Sequence, residues 1–127
     1  MLELGIREVS KITKLKPHTL RYYESIGLIG DIQRNSSGKR IYSEGDLKWL
    51  EVINRLRTTG MNINKMKEYA RLRHLGDETI TERKNIMKEH LSSIECEIKM
   101  LQEAREYVAR KVEIYNEMEE KFNARGK

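Results

Sequence analysis

Apolar residues recur at two different periods along this chain, and the changes of period mark out its parts. Over residues 5–13, Ile6, Val9 and Ile12 (or Thr13) return at helical spacing, which predicts a first helix with one inward stripe. Lys14-Leu15-Lys16 makes a tight turn, and Pro17 to Ser25 reads as a second short helix. Pro17 suits the first helical position, where a missing N–H costs nothing. Gly27 suits the position just past the last, where φ is often positive. With Leu20 inward, Tyr23 and Gly27 fall on the same side, and His18, Arg21, Tyr22 and Ser25 fall opposite. Over residues 31–42 the period shortens. Asp31-Ile32-Gln33-Arg34 and Lys39-Arg40-Ile41-Tyr42 predict two strands, and Asn35-Ser36-Ser37-Gly38 supplies turn formers between them.

The helical period then returns. Ser43 with Asp46 resembles a capping box and opens a third helix that runs over residues 43–59 and stops at Gly60. Leu47, Leu50 and Ile53 form one stripe, and Trp49, Val52 and Leu56 form a second. One packed side needs only one stripe, so two predict two neighbours, one of them a candidate subunit contact. Asn62 is placed to cap a fourth helix over residues 62–75, with Ile63, Met66 and Ala70 inward. Gly76-Asp77-Glu78 is the clearest boundary, and Thr79 with Glu82 gives a second capping-box signature. After it no Gly or Pro occurs until Gly126. Met87, Leu91, Ile94, Ile98, Leu101, Val108, Val112 and Tyr115 alternate by steps of four and three, with Arg105 interrupting at one a position. This is an a/d seam among Glu, Lys, Arg, Asn and Ser. About 35–40 residues of helix would span roughly 50–60 Å. Such a stripe must be covered, and the simplest cover is the same helix of a second copy in a two-fold homodimer. The expected division is residues 1–75 as one domain and 79–121 as the dimerisation helix.

Charge sharpens this division. Residues 1–76 hold 15 Lys/Arg against 8 Asp/Glu, whereas residues 77–127 hold 10 against 12. The basic half contains the second helix, which argues for an anionic partner there. It has no strongly apolar anchor for a membrane surface, so nucleic acid is the expected partner. At 127 residues with 35% charged and 38% hydrophobic side chains, the chain suits one domain plus an extension rich in solvated helix. Cys96 is the only cysteine and there are three histidines, which suits a reducing cytosol and a cytoplasmic location. Met1 to Gly5 shows no basic-then-apolar leader pattern, and no apolar run is long enough to span a membrane.

Two short helices joined by a turn of three or four residues form a helix-turn-helix (here residues 5–26), whose second helix enters the DNA major groove. The residues expected at the bases are Lys16, His18, Thr19 and Arg21. Lys16 stands where Ser or Thr would cap better. The hairpin at residues 31–42 is then a wing, with Arg34, Lys39 and Arg40 within reach of phosphate or a minor groove. At the start of the fourth helix, backbone N–H groups favour a phosphate and Lys65 adds charge. Cys96 falls at an outer heptad position, and a passive role outweighs a thiol sensor there. His74 and His90 have no partner at metal-ligand spacing. No Gly-rich phosphate loop, paired carboxylates or nucleophile arrangement stands out. Neither an enzyme, a metal site nor a cofactor is expected.

Three stretches carry a family resemblance: Pro17-His18-Thr19-Leu20-Arg21-Tyr22-Tyr23-Glu24 with Gly27-Leu28, then Gly38 to Glu44 with Asp46-Leu47, then Leu56-Arg57 with Gly60-Met61. In order and spacing the chain resembles the MerR family of bacterial transcription regulators across residues 1–75, and its trailing helix agrees in kind. The resemblance implies a mainly α fold: a winged helix-turn-helix DNA-binding domain followed by a long antiparallel coiled-coil dimerisation helix. It implies binding of a palindromic double-stranded promoter between the −10 and −35 elements. Distortion of an over-long spacer then presents both elements to RNA polymerase, in answer to an effector. Carried over, Arg21 contacts bases or phosphate, Tyr22 and Tyr42 position the backbone, and Arg40 with Lys39 lies in the wing. Lys14 and Lys16 replace the family's usual Gly and Ser of the turn. Metal-sensing members use several cysteines about the dimer helix, and this chain has only Cys96. Its end is similar to the small members that answer aldehyde or thiol stress. Those carry a cysteine in the third helix, where this chain has Val52 and Ile53. The effector is not named by any residue. Other readings are a coiled-coil adaptor or nucleic-acid-binding module without promoter control, and a simple repressor that does not distort DNA.

Overall fold

A computed structural model describes residues 3–30 and 32–126. Asp31, the expected start of the wing, lies outside the described residues. The elements run α1 (Ile6–Thr13), α2 (Pro17–Ser25), β1 (Gln33–Arg34), β2 (Arg40–Ile41), α3 (Glu44–Thr58) and α4 (Ile63–Leu75). A 3-10 turn (Asp77–Thr79) and α5 (Ile80–Arg125) complete the chain. β1 and β2 pair antiparallel, Gln33 with Ile41 and Arg34 with Arg40, and an isolated bridge joins Leu4 to Tyr42. The strands are shorter than the sequence pattern suggests.

The chain falls into two compact units, Met1–Met87 and Lys88–Lys127. In the first, α1 packs on α2 and α3, and α3 packs on α4. Val9, Leu20, Leu28, Tyr42, Leu50, Ile53 and Met66 are fully buried at its centre. The predicted caps form. The Ser43 hydroxyl accepts from Asp46 N at 3.1 Å while the Asp46 carboxylate accepts from Ser43 N at 2.9 Å. Asn62 accepts from Lys65 N at 2.8 Å. α2 ends with Gly27 at φ 77°, Gly27 N donating to Glu24 O and Leu28 N to Tyr23 O, the paired arrangement of a Schellman cap.

Of the two residues that the period left open in α1, Thr13 is the more covered, its hydroxyl donating to Val9 O at 2.8 Å, while Ile12 is 60% exposed. Three expectations change. In α3 Trp49 and Leu56 are buried but Val52 is exposed. The neighbours of Trp49 belong to its own chain: its Nε1 donates to Leu28 O at 2.9 Å, its ring stacks on Tyr69 and Arg73 lies 4.3 Å over it. No second subunit is needed to explain that stripe. Thr79 does not act as a helix cap. Its hydroxyl lies 2.6 Å from Leu72 O and 2.7 Å from Gly76 O, sharing its proton between them, and accepts from Arg83 Nε at 3.0 Å. The break at residue 76 is therefore a latched joint. Ile86 is buried and Met87 half-buried against the core, so the first turns of α5 belong to the first unit. Finally, the outer side of α5 is less polar than expected, because Met100, Tyr107 and Ile114, one heptad apart, are exposed outside the a/d seam.

Candidate nucleic-acid interface

α2 is held from one side. Leu20 and Tyr23 are buried, and the Schellman cap with the Trp49–Leu28 hydrogen bond fixes its exit. What remains outside is the face expected from the sequence. Lys16, His18, Arg21 and Tyr22 are exposed, and Thr19 is half-covered. Tyr22 projects its ring at 47° to Tyr23 with centroids 6.3 Å apart. These groups offer two fixed cations, an imidazole, two hydroxyls and an aromatic edge, a set suited to phosphates and base edges.

The wing is tied to this helix. Arg40 Nε donates to the Glu24 carboxylate at 2.9 Å, with both side chains about four-fifths covered. At the hairpin tip the Asn35 side chain accepts from Ser37 N and Lys39 N, and Arg34 donates to Gly38 O at 3.0 Å. Arg40 lies in the wing as expected, with its Nε engaged as an anchor. The exposed wing cations are Arg34 and Lys39. Arg7, which the sequence reading passed over, lines one open groove with Arg34, Lys39 and Arg40. Its position beside Ile6, off the inward stripe, was the available signal.

Tyr42 also departs from expectation. It has no exposed surface and its hydroxyl is buried without a partner, so it supports the site from beneath and cannot touch DNA as it stands. Burial pushes its pKa up, and Arg40 and Arg21 pull the other way. Lys65 stands on a separate element, in the first turn of α4, where the Asn62 cap already takes one of the amides expected to meet phosphate. Lys14 holds the turn between α1 and α2 at φ 62°, a left-handed conformation that favours glycine.

On α5, Leu91, Ile98, Leu101, Val108, Val112 and Tyr115 are exposed and Ile94 is half-covered. No group of three or more His, Cys, Asp or Glu among the described residues could hold a metal ion, and Cys96 is exposed. No described helix is long and apolar enough to cross a membrane.

Comparison with known proteins agrees with this geometry. The sequence profile of the MerR HTH family regulatory proteins matches residues 4–72, and that of the MerR DNA-binding region matches residues 47–110. The chain is 44% identical over 84 residues to the HTH-type transcriptional regulator AdhR of Bacillus subtilis (strain 168). That stretch takes in 66% of this chain and 60% of that regulator. The crystal structure of HiNmlR, a MerR family regulator lacking the sensor domain, bound to promoter DNA, is similar with a TM-score of 0.85 at 26% identity, over 91% of this chain and 92% of that one. A MerR family transcriptional regulator from Listeria monocytogenes gives a TM-score of 0.83 at 33% identity, over 89% of this chain and 86% of that one.

Proposed function

Because the chain belongs to the MerR family of helix-turn-helix regulatory proteins, we propose that it regulates transcription as a homodimer on a palindromic promoter, by distorting the spacer between the polymerase-binding elements. α2 enters the major groove with Lys16, His18, Thr19, Arg21 and Tyr22 toward base edges and phosphates. Arg34 and Lys39 of the wing, with Arg7 beside them, hold the flanking backbone, and Lys65 does so at α4. Two copies place their α2 helices about one DNA turn, roughly 34 Å, apart. The seam of α5 carries the pairing and so sets that separation. Bending or untwisting the DNA changes how RNA polymerase sees the two elements. A regulator of this kind is not an enzyme, and its place is the cytoplasm.

The observation that carries the reading is the pinned geometry of α2: Leu20 and Tyr23 buried on one side, Arg21 and Tyr22 exposed on the other, with the wing anchored through Glu24 and Arg40. The test is selection of bound duplexes from a random pool, followed by circular-permutation electrophoresis of the winning site. A palindrome with a permutation-dependent mobility is expected. A palindrome without bending would leave a simple repressor, and no enriched sequence would point to an adaptor or a non-specific binder.

A further inference from the structure

A groove of about 500 Å3 lies between the exit of α2 and the length of α4, wholly within the first unit. We propose that it binds a small organic phosphate, with Lys67, Arg73 and His74 receiving the phosphate and the organic part covering the floor at Trp49. None of the residues that line it belongs to the set placed on DNA above.

The floor is apolar, made by Ile26, Leu28, Trp49 and Ala70. The α4 wall carries Lys67, Arg71 and His74, spaced by four and three on one helical face, with Arg73 beside them. Arg71 is taken up by Glu68, its Nη2 and Nε donating to the carboxylate at 2.7 and 3.1 Å. Lys67, Arg73 and His74 are exposed, and among the described residues their side chains have no hydrogen bond or ion pair. Two fixed cations and an imidazole thus border an apolar hollow with no protein anion left to meet them. A phosphate ester carries about −1.5 to −2 charges at pH 7 and three strong acceptor oxygens, which matches this set. A carboxylate would neutralise only half of it.

Arg73 is positioned in advance. Its guanidinium lies 4.3 Å over the Trp49 ring. Stacking uses the face of the guanidinium and leaves its N–H edge, the fork that takes a phosphate through two parallel bonds. The volume falls in the range of small-molecule sites and leaves room for more than the phosphate. Gly30 stands at the rim, outside the left-handed region, and a Cβ there would meet nothing within 4 Å. Neither backbone nor packing demands glycine at that position, and the missing side chain keeps the mouth open. The floor includes the Trp49–Leu28 hydrogen bond. An occupant therefore rests on the contact that fixes the exit of the reading helix.

Trp49 is the only tryptophan, so the intrinsic fluorescence of the full chain reports on the groove. Phenyl phosphate, titrated at constant ionic strength against potassium chloride, should give a saturable change with a Kd of about 1 mM or tighter. Inorganic phosphate, which cannot cover the floor, should bind about fivefold more weakly. Lys67→Gln changes one exposed side chain and should weaken phenyl phosphate by about tenfold, with an unchanged thermal midpoint. Gly30→Leu, which narrows the mouth without touching a cation, should weaken it at least as much. If that variant melts early, Lys67→Gln decides alone. No saturable change, or undiminished affinity in Lys67→Gln, overturns the site. Equal affinity for inorganic phosphate overturns the organic class. Loss of the selected duplex by Lys67→Gln with phenyl phosphate binding unchanged would assign the cations to the DNA backbone instead.

Discussion

Leucines, isoleucines and valines at helical spacing occur in both units and meet opposite fates. Up to Met87 most are covered by neighbouring elements of the same chain, and from Lys88 onward, among the described residues, all but Ile94 are exposed. Local helix signals cannot explain the contrast, since regular helical periods occur in both. The difference lies in closure. The first unit brings four helices and a hairpin round one core, with Trp49 and Tyr42 as its largest buried members. The second is one helix with an apolar face, which has no stable use for that face alone. One unit is complete enough to present a site, and the other leaves its apolar face exposed.

The largest effect should come from breaking the incomplete unit. Ile98→Glu puts a charge into the apolar seam, among Leu91, Ile94 and Leu101. Sedimentation should show a monomer at micromolar concentration, with affinity for the selected palindrome lost by about a hundredfold or more, since half of the contacts go. The far-ultraviolet spectrum and thermal midpoint of the first unit should hold. Next is the site itself. Arg21→Ala should cost about 1–3 kcal/mol of specific binding and leave the dimer intact in the same sedimentation experiment. Unchanged affinity would mean that α2 does not read DNA.

Within the closed unit the effects are smaller. Glu24→Ala removes the anchor of a mostly covered pair and should cost about 1 kcal/mol, read as faster amide exchange in residues 33–41. Lys14→Gly relieves the left-handed turn and should raise stability by about 0.5–1 kcal/mol, seen as a higher thermal midpoint. The smallest effect is expected at Tyr42. Because its hydroxyl has no partner, Tyr42→Phe should be neutral or slightly stabilising at pH 7. Its pKa is raised in the fold, so the folded chain keeps the proton while the unfolded one ionises near pH 10. That contribution is intact below this pH and is lost as pH rises through the folded value. The Phe variant should lose less stability on an alkaline titration than the parent.

Much of the first unit was legible because its signals are local. Pro17, Gly27, Ser43 with Asp46, and Asn62 act within a few residues of themselves, and each forms as expected. Two of the errors involve contacts distant in sequence. Glu24 and Arg40 are sixteen residues apart, and nothing in their spacing says that they pair. Tyr42 follows two wing cations and reads as surface, but its bridge to Leu4 carries it into the core. Thr79 carries the pattern of a cap, yet its hydroxyl donates to the carbonyls of Leu72 and Gly76 and accepts from Arg83 Nε instead of a helix amide. The seam of α5 was readable from period alone, but the exposed row Met100, Tyr107 and Ile114 lies off it and was missed.

The most direct test is to measure how many chains bind one selected duplex, and how binding depends on the spacing of its two halves. Sedimentation of the complex should give two chains per duplex. Inserting about five base pairs, half a DNA turn, between the half-sites should abolish tight binding, because the two α2 helices then face opposite sides of the DNA. One chain per duplex, or undiminished affinity after the insertion, would contradict a symmetric reader held together by α5.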